Sequence, residues 1–329
     1  MFFTNNKCKT LVRLFINFID KNRAMQYTDS NKFKRGDVMQ KIIISTESGA
    51  DLPYKIYIPN DIKIIPMHVV FGSKSLAEGH FDIEKIDLFF NKTKTLPKTS
   101  AINPNEYVRH FKSLLTINDD CRIIHISYSS KLTSCCQNAR IAAEIVGKDR
   151  VTVIDSQSAS AGVGVLVMQA CSIIKKYYGK LKFDECVSLI KAQRSKIVCT
   201  FMPDKLDYLK AGGRVSSAVN IGASVLNLKP SLSIENGEIV KGKIYRGRIE
   251  NIAKTYLEDF VKNNNVDKHY LIIGYTYKIN KLLLFALKRQ AHKMGFKKSW
   301  CFMLGSTITC HTGPDCIGFA GVKSNRTSV

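Results

Sequence analysis

The stretch IIHISYSSKLTS at residues 123–134 is the most informative about the fold, because a mostly apolar run of four residues, IIHI, ends in a loop rich in serine and threonine. A second apolar run, VTVI at 151–154, ends in the polar pair DS, and a first one, KIII at 41–44, precedes the polar loop 45–51. Short apolar runs bounded by such loops are typical of strands that are buried on both faces, as in a parallel sheet.

Helical patterns separate these runs. The motif Asn103-Pro104-Asn105-Glu106 predicts a helix start, with Asn103 as the N-cap, Pro104 at the first position and Glu106 at the third. Further helices are expected after residue 134 and near 162–178. Strands that alternate with helices predict an α/β fold with a mostly parallel sheet and flanking helices.

The pattern changes after about Thr200. Residues 231–234 and 238–244 flank Asn236-Gly237, which predicts a β-hairpin with a type I′ turn. The other elements expected in this half are two helices and three strands, at 249–261, 280–294, 269–275, 299–305 and 316–321. This half is therefore predicted to be α+β, with a largely antiparallel sheet.

The chain organisation that follows has three parts. Residues 1–38 form a basic extension, 39–199 an N-terminal α/β domain and 200–325 a C-terminal α+β domain. Ligands of open α/β sheets bind beyond the carboxyl ends of the strands, and clefts between domains are common ligand sites. We therefore expect a ligand site between the two halves, near the polar loops that follow the strands.

The basic extension has two interpretations. Residues 1–38 contain eight Lys or Arg and three acidic residues, with several apolar side chains on one helical face. One interpretation is an amphipathic helix that contacts an anionic membrane peripherally. The other is a disordered tail, or translation from an upstream start, with Met39 as the better beginning.

The net charge and the cysteines limit the classes of function and the cellular compartment that fit this sequence. The net charge is +23, and its spread along the chain fits either a general composition bias or an anionic partner such as nucleic acid. The ten cysteines form no C-x-x-C motif and lie mostly in apolar runs, which favours free thiols in a reducing cytoplasm.

Motifs for the common catalytic sites are missing from the sequence. There is no P-loop, no complete dinucleotide fingerprint and no G-x-S-x-G nucleophile elbow. His311 stands out among the seven histidines because Thr312-Gly313-Pro314 follows it and predicts a turn that presents its ring from a loop.

A series of polar motifs occurs in a specific order along the chain. The motifs are TESGADLP at 46–53, PKTS at 97–100, ISYSSKLTS at 126–134, IDS at 154–156, YLKAGGRVS at 208–216, LKP at 228–230 and HTGP at 311–314. This series resembles the DegV family of bacterial fatty-acid-binding proteins, over about residues 41–323.

The resemblance implies a two-domain fold that holds one long-chain fatty acid in a buried tunnel, with no metal and no other cofactor. It implies that Thr99, Ser129, Ser130 and His311 bind the carboxylate. A fatty acid kinase would be the partner, and the purpose would be lipid transport for phospholipid synthesis in the cytoplasm. By the same resemblance, arginines are expected to serve the head group or the kinase contact: Arg214, Arg246 and Arg248.

The sequence departs from the family pattern at three places: Glu47, Cys135-Cys136 and Asp315-Cys316. These departures bear on the head-group geometry and not on the fold.

Two other functions stay open at this point. One is a basic nucleic-acid-binding protein, although no specific nucleic acid is expected, and the other is an acyl hydrolase that uses Ser129 with His311. The leading expectation is a lipid-binding protein that is not an enzyme.

Overall fold

The computed structural model describes residues 41–117, 120–214 and 228–324, and these residues belong to one compact unit. The predicted extension 1–38 and the residues Val215-Ser216 lie outside them. The strands are β1 Ile42–Glu47, β2 Lys63–Ile65, β3 His68–Phe71, β4 Lys74–Ala77, β5 Lys98–Ser100, β6 Arg122–Ser127, β7 Val151–Asp155, β8 Ile197–Met202, β9 Leu228–Glu235, β10 Glu238–Arg246, β11 Tyr270–Tyr275, β12 Lys298–Met303 and β13 Ile317–Val322.

Most of the helices lie between consecutive strands. They are α1 Tyr54–Tyr57, α2 Lys85–Thr93, α3 Pro104–Leu115, α4 Cys135–Val146, α5 Ala161–Lys176, α6 Phe183–Gln193, α7 Asp207–Ala211, α8 Ile249–Asn263, α9 Lys281–Lys293 and α10 Ser306–Thr312. The described residues also form two single-turn 3₁₀ helices, at Ser48–Ala50 and Arg194–Lys196.

The strands form three sheets. The first is parallel throughout, in the order β2-β1-β6-β7. The second has the order β10-β9-β8-β13-β11-β12 and is antiparallel except for the pair β11 and β12. The third is small and antiparallel, in the order β4-β3-β5.

The helix α5 lies between the first and second sheets and contacts β1, β6, β8 and β13. Because both of its sides face a sheet, its sequence is apolar almost all round. The core around it takes residues from both halves of the chain, including Ile124, Leu166 and Ile272. The helices α3 and α4 cover the other face of the first sheet, and α8 and α9 cover that of the second.

The fold predicted from the sequence is confirmed. The parallel first sheet, the largely antiparallel second sheet and the hairpin around Asn236-Gly237 are all present. Positive φ angles of 50° at Asn236 and 86° at Gly237 give the turn the backbone of type I′. The predicted domain boundary after residue 199 falls inside β8, and the division into two domains stays a prediction.

The structure corrects one expectation and adds one sheet. His311 was expected on a loop, but it lies in the last turn of α10. The sequence STITCHT of α10 is rich in β-branched residues and is a weak helix former, so no local pattern predicts this helix. The third sheet also lacks a sequence signal, because its strands have only three or four residues each.

Candidate functional site

A cavity of about 180 Å³ lies where the three sheets meet, and we call it the central cavity. This volume is roughly ten times what one enclosed water needs. Much of its wall is apolar, and that part includes Met67, Leu132, Phe201, Ile234, Ile239 and Phe319. Hydroxyl side chains, His311 and Arg214 also line it. The cavity therefore suits an amphipathic ligand with a long apolar part.

Thr99 and His311 face each other at this cavity. Thr99 Oγ1 and His311 Nε2 lie 2.8 Å apart, in hydrogen-bond contact, although 212 positions separate the two residues in the chain. Pairing of Thr99 with Val69 of β3 fixes the position of β5. The structure therefore brings Thr99 and His311 together, while their role in carboxylate binding stays a prediction.

Two carboxylates hold the helix that carries His311. Gly305 N donates to Asp51 Oδ1 over 2.7 Å, and Thr307 N donates to Glu78 Oε1 over 2.7 Å. Burial, and the nearby carboxylate of Glu78, raise the pKa of Asp51 to about 8. The loop after β1 and the segment after β4 thus fix the start of α10, and with it the position of His311.

His311 is neutral at pH 7. Burial, and the nearby positive charge of Arg214, lower its pKa to about 4. Its Nδ1 is buried and makes no hydrogen bond among the described residues. Gly212 lies against this ring, and a Cβ at that position would come within 2.5 Å of Nδ1. The Gly212-Gly213-Arg214 turn therefore packs directly on the imidazole, which explains why its first residue is glycine.

Ser129 and Ser130 lie elsewhere. Ser129 is fully buried, and its hydroxyl donates to Gly237 O over 2.7 Å. The Ser130 hydroxyl donates to Asp155 Oδ2 over 2.5 Å. Neither residue is part of the wall of the central cavity as the described residues form it. Their predicted role in carboxylate binding stays a prediction.

Several hydroxyl side chains that line the cavity were missed by the sequence analysis, and two of them lie at a helix start. Thr133 and Ser134 line the central cavity directly before α4, at the amino end of a twelve-residue helix. Backbone N–H groups at a helix start favour a negative charge. The sequence does contain a signal for Thr133 and Ser134, because the serine-rich loop after β6 ends where the helical pattern of α4 begins.

The three predicted arginines do not come together. Arg214 lines the central cavity, is exposed, and donates from Nη1 to Gly212 O over 2.6 Å. Arg246 ends β10, and Arg248 precedes α8, where its Nε lies 3.8 Å from Glu250 Oε2. Only Arg214 is therefore placed to act on a ligand in the cavity, while a role of Arg246 and Arg248 in a kinase contact stays a prediction.

Glu47, the last residue of β1, is fully buried. Its carboxylate accepts hydrogen bonds from Tyr107, Ser127 and the Tyr128 backbone, at 2.7, 2.6 and 3.0 Å. Burial alone would raise its pKa, but the His125 ring and these hydroxyls outweigh burial and hold the pKa below its usual value. Glu47 thus fixes the start of the serine-rich loop.

All nine cysteines in the described part of the chain are free thiols, as the sequence predicted. Seven of them are buried, and Cys171 and Cys301 are half-buried. Across the same ranges, none of the helices combines the length and the apolar character needed to span a bilayer.

Comparison with known proteins gives a consistent family. The family model described as "Uncharacterised protein, DegV family" matches residues 41–324. A DegV domain-containing protein of Caldanaerobacter subterraneus subsp. tengcongensis is 30% identical over 285 residues, which are 85% of this chain and 98% of that protein. A DegV domain-containing protein of Clostridium perfringens is 30% identical over 68% of this chain and 78% of its own length.

Solved structures show the same fold. A fatty-acid-binding DegV family protein from Thermus thermophilus superposes with a TM-score of 0.76 at 24% identity, over 87% of this chain and 100% of that one. A stearic acid-binding protein from Eubacterium ventriosum has a TM-score of 0.74 at 24% identity, over 87% of this chain and 98% of that one. The family match, the curated relatives and the shared fold together show that this chain belongs to the DegV family.

Proposed function

We propose that this protein binds one long-chain fatty acid in the central cavity, with the carboxylate at Thr99 and His311. The observation that carries the proposal is the contact between these two side chains at the edge of a cavity with an extensive apolar wall. The structural relatives described as fatty-acid-binding proteins support it, since they share the fold and carry such ligands.

The energetics of the cavity suit this ligand. Each buried methylene contributes about 0.8 kcal/mol, so a long acyl chain supplies most of the binding free energy by itself. A neutral His311 and nearby hydroxyls orient the head group by hydrogen bonds, which avoids a fully buried ion pair. Thr133 and Ser134, at the start of α4, add further donors at the same cavity.

In the proposed binding mode, another protein can reach the carboxylate of the fatty acid. Ser134 and Arg214 line the cavity and are exposed, so the cavity reaches the surface beside them. We therefore propose that the protein presents the carboxylate to a fatty acid kinase, which forms an acyl-phosphate. In this role the protein is a carrier in lipid transport for phospholipid synthesis, and the kinase performs the chemistry.

Native mass spectrometry of the purified protein tests the proposal. We expect one bound fatty acid per chain, released under denaturing conditions and identified in the organic extract. A protein that carries no fatty acid, and takes up none when incubated with a mixture of long-chain acids, would refute the proposal. Co-purified nucleic acid would instead favour the alternative suggested by the net charge of +23.

The geometry gives no support to the hydrolase alternative. Ser129 and His311 would have to share a hydrogen bond to act as nucleophile and base. Instead, the Ser129 hydroxyl donates to Gly237 O, and His311 Nε2 is in contact with Thr99.

A further inference from the structure

We propose that Ser129 is a positioning residue for acyl-chain selection: it holds the tip of the β9–β10 hairpin so that Ile234 and Ile239 close one wall of the central cavity. This inference rests on the proposed function. It assigns to Ser129 a role different from the carboxylate contact expected from the family resemblance.

The contact between Ser129 and the hairpin is buried and direct. The Ser129 hydroxyl donates to Gly237 O over 2.7 Å, and we call this hydrogen bond the hairpin latch. The side chain of Ser129 is fully buried, and its backbone N–H donates to Ser158 O over 3.0 Å. Ser129 is therefore fixed from the side of the first sheet, and its hydroxyl reaches across to the second.

Residues on both sides of the latch are compatible with this close contact between the Ser129 loop and the hairpin. Gly237 has a φ of 86°, and a Cβ there would come within 2.6 Å of Ser129 Oγ. Glycine is thus required both by the turn and by the close approach of the latch. Lys131 Nζ lies 3.3 Å from Glu238 Oε1 on the surface, in an exposed ion pair that adds little stability.

The second sheet does not hold the tip of the hairpin by itself. Strand β9 pairs with β8 only at Ser233 with Thr200 and at Leu232 with Phe201. Strand β10 is the outer edge of the sheet. From Ile234 to the turn, the hairpin therefore has no pairing with β8, and its position depends on the latch and on the packing of Ile234 and Ile239 against the core.

The tip carries part of the cavity wall. Ile234 and Ile239 pair with each other across the hairpin, and both line the central cavity. Ile234, Cys199 and Thr200 also line a second, polar cleft, whose other residues include Lys191 and Arg194. Ile234 therefore separates the apolar cavity from an open polar cleft.

The consequence concerns which acyl chains fit and how fast they exchange. With the latch closed, Ile234 and Ile239 bound the space available to the chain. With the latch broken, the tip can move away from Ser129, and the chain gains a path toward the polar cleft. Loss of one buried hydrogen bond should raise the population of the open state about tenfold.

The test compares Ser129→Ala with Ser231→Ala. Ser231 is the matched control, because its buried hydroxyl donates to Lys243 O over 2.9 Å in the same hairpin, away from the tip. Each variant is loaded with a mixture of saturated fatty acids of about 12 to 20 carbons, and native mass spectrometry gives the lengths retained. Stopped-flow displacement of a fluorescent fatty acid gives the exchange rate.

For Ser129→Ala we expect about tenfold faster exchange and a broader range of lengths, whereas Ser231→Ala should match the wild type. Hydrogen exchange should increase at residues 234–240 in Ser129→Ala and stay unchanged around Thr99 and His311. Ile239→Ala, which removes part of the wall and leaves the latch intact, should broaden the range of lengths in the same way. If Ser129→Ala does not fold, Gly237→Ala tests the inference from the hairpin side, because its Cβ would come within 2.6 Å of Ser129 Oγ and break the latch; an exchange rate and selectivity like those of the wild type would overturn the inference.

The outcomes separate the inference from the proposed function. A wild-type protein that binds no fatty acid refutes the proposed function. A wild type that binds, together with a Ser129→Ala variant of unchanged exchange rate and selectivity, overturns only the latch. A Ser129→Ala variant that loses acyl-phosphate formation, with unchanged hydrogen exchange in the hairpin, would also overturn it and would restore the carboxylate role.

Discussion

At the scale of single residues, burial keeps two histidine side chains neutral at pH 7. His311 is kept neutral at the central cavity, and His110 is kept neutral beside the first sheet. His110 Nε2 lies 2.8 Å from Ser45 Oγ, which in turn lies 3.0 Å from His125 Nδ1. His311 therefore lies at the proposed ligand site, whereas His110 belongs to a polar network inside the fold.

Thr99→Val should impair the use of the ligand more than its binding. Valine keeps the shape of threonine but removes the hydroxyl that contacts His311, while the acyl chain keeps its apolar contacts. We expect fatty-acid affinity to fall by no more than about tenfold, as for one lost hydrogen bond. Acyl-phosphate formation by a fatty acid kinase should fall further, because the carboxylate is no longer oriented.

Thr309→Val provides the control for that experiment. Thr309 lies in the same helix as His311, and its hydroxyl donates to Gly305 O over 3.0 Å within that helix. The kinase should phosphorylate the ligand of this variant as it does that of the wild type. Equal losses of binding and phosphorylation in Thr99→Val would contradict the proposed head-group role.

His110 should make the protein sensitive to acid. Burial, and then the neighbouring His125, lower the pKa of His110 to about 4, although Glu47 acts in the opposite direction. The unfolded state binds the proton more tightly, with a pKa near 6.5, so stability is fully present above that pH and declines as the pH falls toward 4. The contribution is at most about 3 kcal/mol.

Urea unfolding between pH 7.5 and about 4 measures this linkage. His110→Gln keeps a hydrogen-bonding group next to Ser45 but cannot take up the proton. The free energy of unfolding of this variant should fall less steeply over the same range. An identical slope in both proteins would show that His110 does not titrate in this way.

At the scale of elements, capping and pairing fix where helices and hairpins begin. Asn103 accepts from Glu106 N over 3.0 Å, and Glu106 Oε2 accepts from Asn103 N over 2.9 Å. This capping box starts α3, whose buried face includes Tyr107 and Phe111. Tyr107 in turn donates to Glu47, so the cap helps to place a side chain of the buried polar network.

Asn103→Ala should lower the free energy of unfolding by about 1 kcal/mol, because the backbone N–H of Glu106 loses its acceptor, the Asn103 side chain. Chemical denaturation measures the change. Asn105→Ala, an exposed substitution in the same helix, is the control and should stay within about 0.5 kcal/mol of the wild type. Equal effects of the two substitutions would show that the cap is not what stabilises this helix end.

At the scale of the whole molecule, one core joins the two predicted domains. The helix α5 packs against strands of both sheets, and Leu166 is fully buried between them. The single tryptophan, Trp300, lies in the second sheet and packs against the same core. Unfolding of the two halves should therefore be coupled through α5.

Leu166→Ala should lower the free energy of unfolding by roughly 2–5 kcal/mol, because it removes a buried side chain from the shared core. Trp300 fluorescence reports on the second sheet, and far-ultraviolet circular dichroism reports on the whole chain. We expect both transitions to coincide in urea and to shift together in the variant. Separate transitions would show that the predicted domains 39–199 and 200–325 unfold independently.

Local sequence patterns predicted many of the helices and strands, and the ordered motifs predicted the family. Apolar runs, the Asn103 cap and the Asn236-Gly237 turn are local patterns, and each specifies a local backbone conformation that the structure confirms. The ordered motifs identified the DegV family, whose model matches residues 41–324.

Which polar groups come into contact depends on long-range packing, and local sequence patterns do not specify it. His311 contacts Thr99, although 212 positions separate the two residues in the sequence. The Ser129 hydroxyl donates to Gly237 O, and these two residues are 108 positions apart. The helix α10 forms although its sequence is a weak helix former, because Glu78 and Asp51 satisfy its first backbone donors. A hydroxyl or a helix end can satisfy its hydrogen bonds in many ways, and long-range packing selects one of them.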